Sequence, residues 1–186
     1  EDGTATITDF DYDQVNSGDQ TLTFTANTSV LTQTFIVNVN NDFKVEMDEF
    51  FSVILDSLVV TGANGHDVVL GPLGVNNEHA TGTIVNDDQA ILSINNVSDL
   101  EQTGQLTFTV SLSAEVAGDI SVLASTQDGT ATTGNNDYDS NSEILTFTAG
   151  TTVQSFTVTV NDDQTVELDE TLSAILSSLN ANGFDV

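Results

Sequence analysis

The sequence has no cysteine and no tryptophan, only two histidines, and a single basic residue, Lys44, among 186. Without cysteine there is no disulfide framework and no thiolate zinc site. The histidines, His66 and His79, are too far apart in sequence to suggest an imidazole-based transition-metal centre. The near absence of Lys and Arg excludes nucleic acid as a partner, because phosphate recognition works by neutralising the backbone and releasing its counterions. It excludes an anionic membrane surface for the same reason. No apolar run approaches the roughly 18 residues that a membrane-spanning helix needs. The chain opens at Glu1 with no signal peptide and reads as an interior segment of a longer protein.

What the sequence does hold is acid. Asp and Glu number 29, for a formal charge of -28, while 38% hydrophobic residues suffice for a core in one large or two modest domains. So much unscreened like charge opposes compaction, and a cation resident in the fold is the expected remedy. Carboxylates are hard oxygen donors, which points to calcium. Abundant Thr, Asn, Asp, Ser and Gly with almost no Lys or Arg suggests an extracellular, saline setting.

Short alternating runs recur where helical periodicity is missing. Leu22 and Phe24, then Phe35, Val37 and Val39, then Phe51, Val53 and Leu55 put apolar side chains on one face of an extended chain. Leu106, Phe108, Val110 and Leu112 do the same further on, followed by Ile120, Val122 and Ala124, by Leu145 and Phe147, and by Phe156, Val158 and Val160. Gly, Asn and Asp separate these runs at the spacing of an all-β sandwich.

The runs belong to an internal repeat. Asp2-Gly-Thr-Ala-Thr6 returns as Asp128-Gly-Thr-Ala-Thr132, and Asp11-Tyr-Asp13 as Asp137-Tyr-Asp139. Leu22-Thr-Phe-Thr-Ala26 returns as Leu145-Thr-Phe-Thr-Ala149, Val45-Glu-Met-Asp-Glu49 as Val166-Glu-Leu-Asp-Glu170, and Ala63-Asn-Gly-His-Asp-Val68 as Ala181-Asn-Gly-Phe-Asp-Val186. Residues 90–127 have no counterpart ahead of Asp2, and residues 69–88 have none after Val186. The expected domains are therefore 1–88 and 89–186, the first without its opening strands and the second without its last.

Acidic residues gather where strands end: Asp11 and Asp13, Asp42, Glu46 with Asp48 and Glu49, and Asp87-Asp88; then Asp137 and Asp139, Asp162-Asp163, and Glu167 with Asp169 and Glu170. Taken singly, such residues are turn formers or a solvated face. Their combination, in duplicate and without counter-charge, points to metal. Calcium takes six to eight oxygens, which loops meeting at one end of a sandwich can supply.

The ordered set of motifs, Asp-Gly-Thr-Ala, Asp-Tyr, Leu-Thr-Phe, Val-Glu-x-Asp-Glu and the closing Thr83-Ile-Val-Asn-Asp-Asp88, resembles the Calx-beta domain over essentially the whole chain. That family occurs in sodium/calcium exchanger regulatory domains, an integrin cytoplasmic region and large bacterial surface proteins. The resemblance implies tandem immunoglobulin-like sandwiches with calcium at the end that faces the next domain. Carried over by position, it implies the ligands Asp11, Asp42, Glu46, Asp87 and Asp88 in the first repeat. In the second it implies Glu101, Asp137, Asp162, Asp163 and Glu167, with Glu49 and Glu170 as outer candidates and Asp99 as the rival of Glu101. The first repeat departs from the pattern in having Asn41 where the second has Asp162, and Asn86 where some members have a third Asp. Fewer negative ligands imply fewer ions or weaker binding there.

These features predict a calcium-binding structural repeat of a secreted or cell-surface adhesin or filament, its junctions stiffened by Ca2+ shared with adjacent repeats. Two alternatives stand beside it: a calcium-sensing regulatory domain of a transporter, and a glycan-binding module, which 6% aromatics disfavours. Open sheet edges leave room for strand complementation by another copy. Catalysis is not expected: no Ser/His/Asp set repeats, no Gly-rich phosphate loop is present, and Lys44 alone could stabilise a developing anion.

Overall fold

A computed structural model describes residues 1–16, 19–26, 28–61, 68, 70, 78–162 and 164–186. Asp163 and His66 lie outside the described residues. The elements are β1 (Glu49–Leu55), β2 (Glu78–Ile84), β3 (Leu92–Ile94), a 3-10 turn (Glu101–Thr103), β4 (Gln105–Leu112), β5 (Ile120–Asp128), β6 (Ser142–Phe147), β7 (Val153–Thr159) and β8 (Leu172–Asn180). Among the described residues no helix is long and apolar enough to cross a membrane. The chain is all-β, and its strands fall into two units, residues 1–42 with 48–86 and residues 43–47 with 87–186.

The second unit is a sandwich of two antiparallel three-stranded sheets, ordered β3-β4-β7 and β6-β5-β8. Strand alternation builds its interior. Phe108, Val110 and Leu112 of β4 and Phe156 and Val158 of β7 face Ile120, Val122 and Ala124 of β5 and Leu145 and Phe147 of β6, all buried in one cluster. Phe156 and Val158 are fully buried and Phe147 is 1% exposed. Each such side chain stabilises the fold by about 1.5–3 kcal/mol through area removed from water. Val45 joins this interior: it bridges Val116 in parallel, exchanges backbone bonds with Glu115 and Ala117, and is fully buried.

Among its described residues the first unit has one antiparallel ladder, β1 with β2, and a small cluster of Ala5, Tyr12 and Phe51 flanked by Ile7, Val37, Val53 and Ile84. The rings of Tyr12 and Phe51 stack at 4.6 Å between centroids. Gly82 lies directly across the ladder from Phe51, and a Cβ there would stand 2.5 Å from the ring, so the position must stay bare.

One expectation is not met in this unit. The alternation at Leu22 and Phe24 and at Phe35, Val37 and Val39 reads as two strands, yet residues 28–38 and the described part of 20–26 form none. A strand needs a hydrogen-bonding neighbour as well as a face. In the second unit the corresponding β6 and β7 have theirs in β5 and β4.

The Asp-Gly-Thr-Ala motif owes its glycine to close approach in both copies. A Cβ on Gly3 would lie 2.3 Å from the Phe50 carbonyl oxygen, and one on Gly129 would lie 2.2 Å from that of Thr171. Those same carbonyls accept from the Ala5 and Ala131 amides, each at 3.0 Å. The motif is thus a backbone seam against the strand that follows the acidic segment, and it holds the next loop in place.

Candidate metal centre

That next loop carries the aspartates. Asp137 Oδ2 accepts the Thr132 amide at 2.7 Å, and Asp11 Oδ2 accepts the Thr6 amide at 2.6 Å. The preceding residue takes a left-handed backbone in both copies, Asn136 at φ 70° and Phe10 at φ 68°. Asn tolerates that conformation, while a side chain such as Phe is strained in it.

A clasp locks each loop from below. The Tyr138 hydroxyl donates to Asp128 Oδ1 at 2.6 Å while the Thr133 amide donates to the same oxygen at 3.1 Å. Tyr12, Asp2 and Ile7 repeat the arrangement at 2.7 and 3.2 Å. The bond from Tyr138, with that from the Thr133 amide, holds the Asp128 carboxyl below the usual carboxylate range. Burial, then the bond to Asp2, pushes the Tyr12 phenol up to about 12. The sign of the linkage follows. A phenol that ionises near 10 when unfolded and near 12 when folded contributes stability fully present below pH 10 and lost as pH rises to 12. The first unit should therefore melt at falling temperature across pH 10–12, and Tyr12→Phe should flatten that decline; calorimetry over the range checks it.

In the second unit the loop brings Asp137 to Glu167 and Glu170, each offering a carboxylate oxygen within 4.8 Å of the others. Glu167 and Glu170 are exposed and Asp137 is half-buried. The Glu170 carboxyl is raised above its ordinary range by local burial and then by the negative fields of Asp137, Glu167 and Glu101. Glu101, on the 3-10 turn, adds to the negative field at Glu170. Carboxylate oxygens at this spacing could hold a hard cation.

By the repeat, Asp137, Glu167 and Glu170 correspond to Asp11, Glu46 and Glu49. Within the first unit, Asp11 and Glu49 present carboxylate oxygens within 4.8 Å of each other. Glu46 falls in the 43–47 segment of the second unit and pairs with Lys44. Asp42, Asp87 and Asp162 are exposed and Asp88 is half-buried. None of these four enters a group of three potential ligands among the described residues. Glu170, an outer candidate by the family resemblance, stands in the group itself. The clasp residues Asp2 and Asp128 were not picked out by sequence as supports for the loop; their recurrence exactly one repeat apart with Tyr12 and Tyr138 is the signal that marks them.

The family model of the Calx-beta domain matches residues 1–88 and again residues 86–185. The chain belongs to the Calx-beta family. No curated protein matches it in sequence. Among solved structures, this Calx-beta chain is similar to the apo-form Calx CBD1 domain at 31% identity, over 44% of this chain and 71% of that one, with a TM-score of 0.41. It is similar to the calcium binding domain CBD12 of CALX1.1 at 30% identity, over 44% of this chain and 34% of that one, with a TM-score of 0.42. The Calx CBD2 domain is similar at 17% identity, over 48% and 55%, with a TM-score of 0.43. The acidic groups of the present chain are thus borne by Calx-beta repeats in tandem.

Proposed function

We propose that this chain is a pair of Calx-beta modules that bind Ca2+ at strand-end carboxylates and transmit the binding as a change in local order, a calcium-responsive regulatory element. The observation that carries the reading is the Asp137, Glu167 and Glu170 group, whose carboxylate oxygens lie within 4.8 Å of one another. Asp137, Glu167 and Glu170 would hold the ion, with Glu101 contributing field from the adjoining turn. In the first repeat the matching pair within one unit would be Asp11 and Glu49. By sequence position alone, Asp42, Asp87 and Asp88 of the first repeat and Asp162 of the second remain further candidates. A bound Ca2+ would supply positive charge that offsets the repulsion among these carboxylates.

A second reading keeps the calcium and changes its use: a load-bearing repeat of a secreted or cell-surface protein, stiffened where repeats meet. It is favoured by a net charge of -28 with a single basic residue, since charge on that scale suits a medium rich in divalent cations. Affinity separates the two. A sensor binds at about 10⁻⁷–10⁻⁵ M and an extracellular structural module at about 10⁻⁴–10⁻³ M.

Titrating the metal-free chain with calcium by calorimetry should give saturable binding, with Asp137→Asn and Glu170→Gln each weakening it at least about tenfold. Near the ordinary Glu range the heat should also vary with the buffer, because the ion displaces the proton that Glu170 holds. Absence of any saturable heat up to several millimolar calcium would rule out both readings.

A further inference from the structure

Two separate requirements of the second unit place a labile dipeptide at the end of β5. The clasp needs the Asp128 carboxyl, whose Oδ1 accepts the Tyr138 hydroxyl at 2.6 Å and the Thr133 amide at 3.1 Å. The seam needs glycine beside it, since a Cβ on Gly129 would lie 2.2 Å from the Thr171 carbonyl oxygen. Asp followed by Gly is a pairing in which the backbone nitrogen readily attacks the preceding side chain, because glycine leaves that nitrogen unhindered and the backbone free to turn. Asp-Gly occurs twice in the chain, here and at Asp2-Gly3, and both copies serve the same kind of seam.

The reaction needs no reagent but water. The Gly129 nitrogen bonds to Asp128 Cγ, the carboxyl hydroxyl leaves with the amide proton as water, and a cyclic succinimide forms. A second water then opens the ring at either carbonyl. Opening on the Cα side leaves an isoaspartyl link, whose backbone runs through Cβ and Cγ and is longer by a methylene. Asp128 and Gly129 are both exposed, so water reaches the ring.

The folded seam restrains both reacting groups. The Gly129 amide donates to the Ala131 carbonyl at 3.1 Å, which engages the proton that must leave. The bonds from Tyr138 and Thr133 fix the carboxyl and hold it in its charged form, which nitrogen attacks poorly. In the first unit the Gly3 amide donates to the Ala5 carbonyl at 3.2 Å, and Tyr12 and Ile7 hold Asp2 in the same way.

We infer that Asp128-Gly129 is a latent site of isoaspartate formation and that the Tyr138 clasp is its guard. Conversion lengthens the backbone where Asp128 pairs with Leu172 and where the Ala131 amide meets the Thr171 carbonyl. The modification thereby unfastens the loop that carries Asp137.

The test incubates the full chain at neutral pH for weeks and measures isoaspartate at residue 128 by electron-transfer fragmentation of the peptide that contains it. The folded chain should accumulate it at least about 100-fold more slowly than the same chain in concentrated urea. Tyr138→Phe removes one donor and keeps the ring, and should raise the folded-state rate about tenfold. Val110→Ala, in the opposite sheet, lowers stability without touching the clasp; with its melting temperature compared with that of Tyr138→Phe, it should convert at the parent rate. A folded parent that converts as fast as the chain in urea overturns the inference. So does an unchanged rate in Tyr138→Phe, or an equal rise in Val110→Ala, which would assign the protection to the fold as a whole.

Discussion

Chelating calcium should lower the melting temperature of the second unit by about 10–20 °C relative to the same chain in calcium at 100 times its dissociation constant. The size follows from mass action. A single site at that saturation stabilises the folded state by about 2.7 kcal/mol, and each kcal/mol moves the midpoint of a domain of this size by about 4–8 °C. The effect has two parts, the attraction of the ion and the relief of repulsion among Asp137, Glu167 and Glu170. A triple variant, Asp137→Asn with Glu167→Gln and Glu170→Gln, separates them. It should melt at or above the chelated wild type, since its repulsion has gone, yet gain nothing from added calcium. Scanning calorimetry of both proteins in chelator and in calcium provides the comparison. Identical wild-type midpoints in the two media would mean that the group is a solvated acidic face and not a metal centre.

The other large effect concerns the asymmetry between repeats. Phe147→Ala should cost the second unit about 3–5 kcal/mol, the usual penalty for emptying a Phe site in a packed interior. Its sequence counterpart Phe24, at 57% exposure, has little packing to lose. Phe24→Ala should therefore change the stability of the chain by less than about 0.5 kcal/mol. Denaturant unfolding of the two variants measures both. Equal losses would show Phe24 to be buried in solution.

That contrast marks the limit of what residue patterns reveal. Leu22-Thr-Phe24 and Leu145-Thr-Phe147 are the same string, and alternation assigns both to a strand face. Only the second is buried as one, because β5 lies beside it. The repeat register, the all-β class and the clustering of acids at strand ends were legible, since they depend on period and on spacing. Glu170 was legible only as an outer candidate, because Glu167, Asp169 and Glu170 are too close in sequence for position to rank them. The reason for the glycine of Asp-Gly-Thr-Ala is the carbonyl of Phe50 or Thr171, which sits more than forty residues on in the chain. Contacts across that distance leave no local pattern. Asp128 carries charge like its neighbours, and its bond to Tyr138 shows only once the loop closes.

The lone basic residue has a practical consequence. A protease that cleaves after Lys or Arg finds one address in this chain, the bond between Lys44 and Val45. Val45 is fully buried, and its amide and carbonyl are both engaged by the neighbouring strand segment. Cleavage must wait for residues 43–47 to leave the second unit. The appearance of two fragments under trypsin is thus a clock for that single excursion, readable without any label or engineered site.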